Sequence, residues 1–141
     1  MSLRTYSYAT GFLRLQLIEK VDEIIVDLAV HPSGMFAVTA TKYAIKYYAI
    51  CLKNFEMYNE TPVNECNLIK MSNGGHYLAA QEQNDICVFK FWTGERPEKM
   101  RFAWHKSSII DIQWLRDDSG FVSTAADSTI QLWYMRHGCT P

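Results

Sequence analysis

Short stretches in which apolar and polar residues alternate recur along the chain, each bounded by a cluster of Gly, Pro, Asn, Asp or Ser. A period of two puts one set of side chains on each face of an extended strand. Leu3 to Tyr8 shows the pattern and Phe12 to Ile18 shows it more clearly, before a charged break at Glu19 to Glu23. Ile24 to Val30 is β-branched and apolar enough for a buried strand. His31-Pro32-Ser33-Gly34 closes it, with Pro presetting φ and Gly free to make a tight turn. Met35 to Thr39 fits the return strand, Ala40 to Lys42 a second turn, and Tyr43 to Ile50 a third strand.

The same order then repeats. Phe55 to Tyr58 predicts a short strand, Asn59 to Asn64 a polar loop, Cys66 to Met71 an inner strand, and Ser72 to Gly75 a hairpin turn. His76 to Gln81, the turn Glu82 to Asp85 and Ile86 to Phe91 complete the second pass. A third follows in Lys99 to Trp104, Ile109 to Leu115, a charged turn ending at Gly120, Phe121 to Thr124, and Thr129 to Tyr134. No segment keeps a 3.6-residue period, so the expected class is all-β.

Equivalent aromatic positions keep a steady interval: Tyr6 to Tyr48 is 42 residues, Tyr48 to Phe89 is 41 and Phe89 to Trp133 is 44. The turn glycines agree, at 41 from Gly34 to Gly75 and 45 from Gly75 to Gly120. Four short strands in each period of roughly 40 to 45 residues is the signature of a WD-repeat β-propeller blade. A sandwich also supplies many short strands, but has no reason to hold an aromatic residue at one fixed phase. The expected division is the end of a preceding blade at 1–8, blades at 12–50, 55–91 and 99–134, and a frayed end at 135–141. Three blades and a remnant strand make a partial propeller that does not close a ring alone. The expectation is therefore a fragment, a partial gene product, or a chain that completes its ring with another.

Composition narrows the function. Fourteen basic against fifteen acidic residues leave a net charge of -1, and no basic block marks a nucleic-acid or anionic-membrane surface. No apolar run approaches a bilayer span and the first twenty residues lack a secretion signal, which points to an intracellular chain. Four cysteines without a C-x-x-C pair read as free thiols, and four scattered histidines offer no metal-ligand spacing. Neither metal nor cofactor is expected, nor a small-molecule substrate.

The third period carries the candidate chemistry: His105, then Ile109, Ile112 and Trp114, the turn Asp117-Asp118-Ser119-Gly120, Ser123, Asp127 and the closing Ile130 to Trp133. This is similar to the Gly-His to Trp-Asp pattern of the WD-repeat family, with Trp104 where Gly is usual and Tyr134 where Asp is usual. In that family four polar positions form a hydrogen-bonded structural tetrad, which the resemblance assigns to His105, Ser123, Asp127 and Trp133. A buried indole N–H and imidazole need such partners. The rival reading is a nucleophilic triad, yet the residues around Ser123 have neither the G-x-S-x-G elbow nor a following helix. Counting from the aromatic residues puts Val38, Lys42 and Tyr48 at the Ser, Asp and Trp places of the first period. Ala79, Gln83 and Phe89 take those places in the second. The earlier blades must then rest on apolar packing.

Over nearly the whole chain, three runs resemble consecutive blades of the second propeller in cilia- and flagella-associated WD-repeat proteins. They are Val21 to Tyr48, Glu65 to Phe89 and Ile109 to Tyr134. The resemblance implies a non-enzymatic scaffold of the cilium or flagellum axoneme, tied to dynein-arm assembly or regulation. Its partners would be dynein-associated proteins or the remaining propeller blades. A generic WD-repeat adaptor and, in another class, a hydrolase-type enzyme are the alternatives. Partner recognition is expected on loops that gather on one face: the turn at Lys42, Glu82-Gln83-Asn84, Asn59 to Asn64, and Lys106 with Ser107 and Ser108. The plainer alternative is that these loops are solvated connections.

Overall fold

Strand pairing gathers the chain into four antiparallel sheets in a computed structural model that describes residues 2–7, 14–20, 23–50, 55–91 and 99–135. The first sheet pairs β1 (Ser2–Ser7) with β2 (Arg14–Lys20). The second holds β3 (Asp27–Val30), β4 (Phe36–Ala40), β5 (Ala44–Ile50) and β6 (Phe55–Pro62) in that order. The third repeats the order with β7 (Ile69–Met71), β8 (Tyr77–Glu82), β9 (Asp85–Lys90) and β10 (Lys99–Phe102). The last contains β11 (Ile109–Trp114), β12 (Gly120–Ala125) and β13 (Ile130–Tyr134). No helix occurs among the described residues.

The sheets are out of step with the divisions expected from the sequence. The strands opening 12–50, 55–91 and 99–134 each pair backwards: β2 with β1, β6 with β5 and β10 with β9. The boundaries in space therefore fall one strand later than the repeat boundaries in sequence. The outermost strand of one sheet and the three inner strands of the next form one sequence period. Because consecutive strands alternate direction, a strand after a long connection satisfies its backbone equally well on the previous edge, and only tertiary packing decides.

Local expectations shift for related reasons. β6 runs on through Asn59 to Pro62, where the sequence predicts a loop, since Glu60 lies opposite Lys46 and Pro62 ends the strand opposite Ala44 on an outer edge. Of Ile24 to Val30 only Asp27–Val30 pairs, and Leu28 and Val30 stay about half exposed. The inner strand from Cys66 begins at Ile69. The three inner hairpin turns are one structure built three times. His31, Ser72 and Leu115 each donate to the residue five places on, and the fourth residue is left-handed: Gly34 (φ 73°), Gly75 (φ 76°) and Asp118 (φ 57°). The third counterpart of Gly34 and Gly75 is thus Asp118, and not Gly120. Gly120 instead makes room for its neighbour, because a Cβ there would lie 2.0 Å from the Trp133 carbonyl oxygen and β13 could not approach.

Two apolar layers hold the sheets together. Val38, Ala40 and Ile45 meet Ile69, Leu78 and Phe89 between the second and third sheets. Ala79, Ile86 and Val88 meet Ile112, Phe121 and Ala125 between the third and the last. Since alternate residues of β8 and β9 serve opposite layers, Leu78 to Gln81 and Ile86 to Phe89 are buried without a break. Polar clasps tie the same junctions: Asp27 Oδ2 accepts from Ile69 N (2.9 Å), and Asp118 accepts from Asn73 N (2.8 Å) and Gly74 N (2.6 Å).

Candidate functional site

Trp133, Ser123 and His105 lie in one hydrogen-bonded chain that crosses the last sheet. The Trp133 indole N–H donates to Ser123 Oγ (2.8 Å), and Ser123 Oγ lies 2.7 Å from His105 Nε2. Asp127 joins indirectly. His105 Nδ1 meets Thr129 Oγ1 (2.9 Å), and Thr129 Oγ1 donates to Asp127 Oδ1 (2.5 Å). The proton order follows from the two ends, because an indole only donates and a carboxylate only accepts. Thr129 gives its proton to Asp127 and so accepts Nδ1–H from His105. The neutral imidazole then accepts from the Ser123 hydroxyl, which accepts from Trp133. Five groups form a one-way relay, each hydroxyl and the ring donating once and accepting once.

The surroundings keep this relay in that state. His105 is buried, and burial pulls its pKa below the ordinary 6.5 against the opposing pull of Asp127. Hydrogen bonding from Thr129 holds the exposed Asp127 carboxyl below its usual range. Ser123 is fully buried, with its oxygen engaged on both sides and Thr129 standing between imidazole and carboxylate. That is the wrong connectivity for a Ser-His-Asp triad, and it leaves no path from Ser123 Oγ to a substrate. Thr129 is a member that the repeat pattern does not mark. The Asp127-Ser128-Thr129 run, in which Asp127 Oδ1 also receives Thr129 N (3.2 Å), is an Asx-type turn that could have pointed to it.

Strand register also revises the equivalent positions in the earlier sheets. Trp133 lies opposite Phe121, Tyr48 opposite Ala37 and Phe89 opposite Leu78, so the aromatic residues do share one place. Two residues on from those partners come Ser123, Thr39 and Ala80, in place of the expected Val38 and Ala79. The cause is the turn before β13: Ile130 pairs six residues back with Thr124, whereas Ile45 and Ile86 pair five back with Ala40 and Gln81. Counting back from the aromatic residue therefore misses by one.

Of the residues expected on a partner face, Lys42, Gln83 and Asn84 line one polar groove of about 530 Å³, together with Glu65, Asn67, Gln81 and Ser108. The Asn84 amide donates to the Lys106 carbonyl (3.3 Å), which ties the next loop to the groove's rim. Glu82 is drawn elsewhere. It ends β8, receives the Cys87 thiol (2.8 Å) and pairs with Lys99 (2.8 Å). Burial pushes the Glu82 carboxyl up, and those two hydrogen bonds more than reverse it, holding it below its ordinary value. Burial likewise pushes the Cys87 thiol up to about 12, the reverse of a reactive cysteine. Cys66 and Cys87 are free, while Cys51 and Cys139 lie outside the described residues. Among the described residues no three His, Cys, Asp or Glu side chains come together as a metal site. A larger hollow of about 680 Å³ opens at the opposite sheet ends, beside His76, Phe91, Asp118 and Met135.

No protein-family model matches the chain. A solved structure, described as the structure of U3-55K, superposes with a TM-score of 0.72 over 84% of this chain and 38% of its own, at 16% identity. Two proteins of Tetrahymena thermophila align in sequence. Cilia- and flagella-associated protein 57 A is 29% identical over 132 residues, covering 94% of this chain and 10% of its own length. Cilia- and flagella-associated protein 57 C is 33% identical over 117 residues, covering 75% and 9%. The fold is that of WD-repeat propeller blades. The chain spans about a tenth of the length of the curated relatives it matches. Within its WD-repeat blades the aromatic landmark is common to three sheets, whereas the polar relay from Trp133 to Asp127 belongs to the last.

Proposed function

We propose that the chain is a non-enzymatic protein-interaction scaffold of the cilium or flagellum axoneme, linked to dynein-arm assembly or regulation. The observation that carries this reading is the similarity to the two cilia- and flagella-associated proteins, one of them over 94% of the chain. The relay through His105, Ser123, Thr129, Asp127 and Trp133 is structural in this reading, and the buried Ser123 performs no chemistry. What a propeller offers a partner is loops on a rigid frame, and Lys42, Gln83 and Asn84 converge here in one groove from separate hairpins. An epitope-tagged copy expressed in a ciliate tests the reading. It concentrates along axonemes and co-purifies with axonemal dynein; a tag confined to the cell body, or recovered with complexes lacking any axonemal protein, overturns it.

A further inference from the structure

The junction between the third and last sheets is closed by a turn with a reactivity of its own. Asn73 and Gly74 are the one Asn-Gly pair in the chain, and both stand exposed on the β7–β8 turn. Three bonds hold them to the turn between β11 and β12. Asn73 N donates to Asp118 Oδ1 (2.8 Å), Gly74 N donates to Asp118 Oδ2 (2.6 Å), and the Asn73 amide donates to the Leu115 carbonyl (2.7 Å). A carbonyl only accepts, so the last bond fixes the amide nitrogen on Leu115. A Cβ on Gly74 would lie 3.0 Å from Asp118 Oδ2, so the close grip of the carboxylate favours glycine at that place.

An asparagine followed by glycine is chemically labile, because without a Cβ the next backbone nitrogen can approach the side-chain carbonyl carbon. We propose that Asn73 is a deamidation site gated by this junction. In the closed clasp both reacting groups are held. The Gly74 N–H is engaged by a carboxylate, whose charge opposes loss of the proton, and the amide is drawn toward Leu115. Water reaches these exposed residues regardless, so hydrogen bonding and not burial is the safeguard. When the two sheets part, the Gly74 nitrogen gives up its proton and bonds to Asn73 Cγ. The amide nitrogen takes up a proton and leaves as ammonia, and water opens the resulting imide at either carbonyl to give aspartate or isoaspartate. The product makes the opening hard to reverse. Aspartate at this place has no donor for the Leu115 carbonyl and sets a second carboxylate beside Asp118, and isoaspartate lengthens the backbone by a carbon and moves the Gly74 N–H out of line.

The test follows Asn73 by peptide mass spectrometry during incubation at mildly alkaline pH, where deamidation adds about one mass unit. The folded protein converts at least about ten-fold more slowly than the same chain in concentrated urea. Asp118→Gly, shown to be folded by circular dichroism, converts at least about five-fold faster than the folded native chain, while the two convert alike in urea. Ala80→Ser disturbs the apolar layer between the second and third sheets without touching the clasp, and stays within about two-fold of the native rate. Asn73→Asp, which carries the product side chain, lowers the melting temperature by about 3–6 °C. No conversion in urea, equal rates in the folded and unfolded chain, an Asp118→Gly rate no higher than that of Ala80→Ser, or an Asn73→Asp protein as stable as the native one overturns the proposal. These measurements need neither a partner nor a cilium, so their outcome is separate from that of the tagged copy.

Discussion

The third and last sheets solve the same packing problem with opposite chemistry. In both, the aromatic residue of the third strand, Phe89 or Trp133, sits opposite a large apolar residue of the second, Leu78 or Phe121. Two residues on, the third sheet has Ala80, which joins the apolar layer, while the last has Ser123 and runs a five-member relay from the buried hydroxyl out to the exposed Asp127. Apolar packing asks only for volume and tolerates exchange, whereas a buried polar chain stabilises only when every member is present. The last sheet is therefore the more specific and the more brittle of the two.

Emptying the apolar solution has the largest expected effect. Phe89→Ala should cost about 3–5 kcal/mol, read as a lowered urea midpoint with an unchanged slope. A loss under about 1 kcal/mol would show that the third sheet does not depend on that ring. Ser123→Ala orphans both the Trp133 N–H and the His105 Nε2, and should destabilise by about 1–3 kcal/mol in the same measurement. The reciprocal change, Ala80→Ser, places a hydroxyl where no indole or imidazole awaits it and should cost about 1–3 kcal/mol as well. If Ala80→Ser is neutral, the third sheet already contains a partner and the contrast between the sheets fails.

The pH dependence is smaller and separates the sheets by a different route. Burial lowers the His105 pKa below 6.5, so the unfolded chain takes up a proton first as the pH falls. The stability contributed by the neutral ring is complete above about 6.5 and lost progressively toward the lower folded value. Protonation also gives Nε2 a hydrogen that faces the Ser123 proton, which stops the relay. Melting temperatures between pH 7.5 and 5 should fall in the native chain and fall less in His105→Gln; equal slopes would remove His105 as the cause. Asp118→Gly should have the smallest effect, a loss of about 1 kcal/mol. It relieves the left-handed residue but forfeits the bonds to Asn73 and Gly74.

Some features of this chain are readable because their physics is local. Tyr and Ile content marks Tyr43 to Ile50 and alternation marks Thr129 to Tyr134 as strands, and the Pro and Gly of the turn at Pro32 to Gly34 stop one strand and start the next. The steady interval from Tyr48 to Phe89 to Trp133 reflects one place in each sheet, so the period carries the fold. Equivalence at single-residue resolution is not readable. One added residue in the turn before β13 moves Ser123 out of step with Val38 and Ala79 and into step with Thr39 and Ala80, and nothing in composition marks the insertion.

The sequence by itself determined the strands, their order, the turn chemistry and the fixed aromatic phase, since each depends on residues within a few places of one another. Only the tertiary structure decided which edge each outer strand would join, because β6 and β10 carry the same alternation whichever sheet receives them. It likewise decided that Asp127 reaches His105 through Thr129, and that Glu82 turns to Cys87 and Lys99. Lys42, Gln83 and Asn84, separated along the chain, meet in one groove only after folding. Hydrogen-bond partners are fixed by distance in space, and that distance is set by the stacking of whole sheets, which no short window of residues contains.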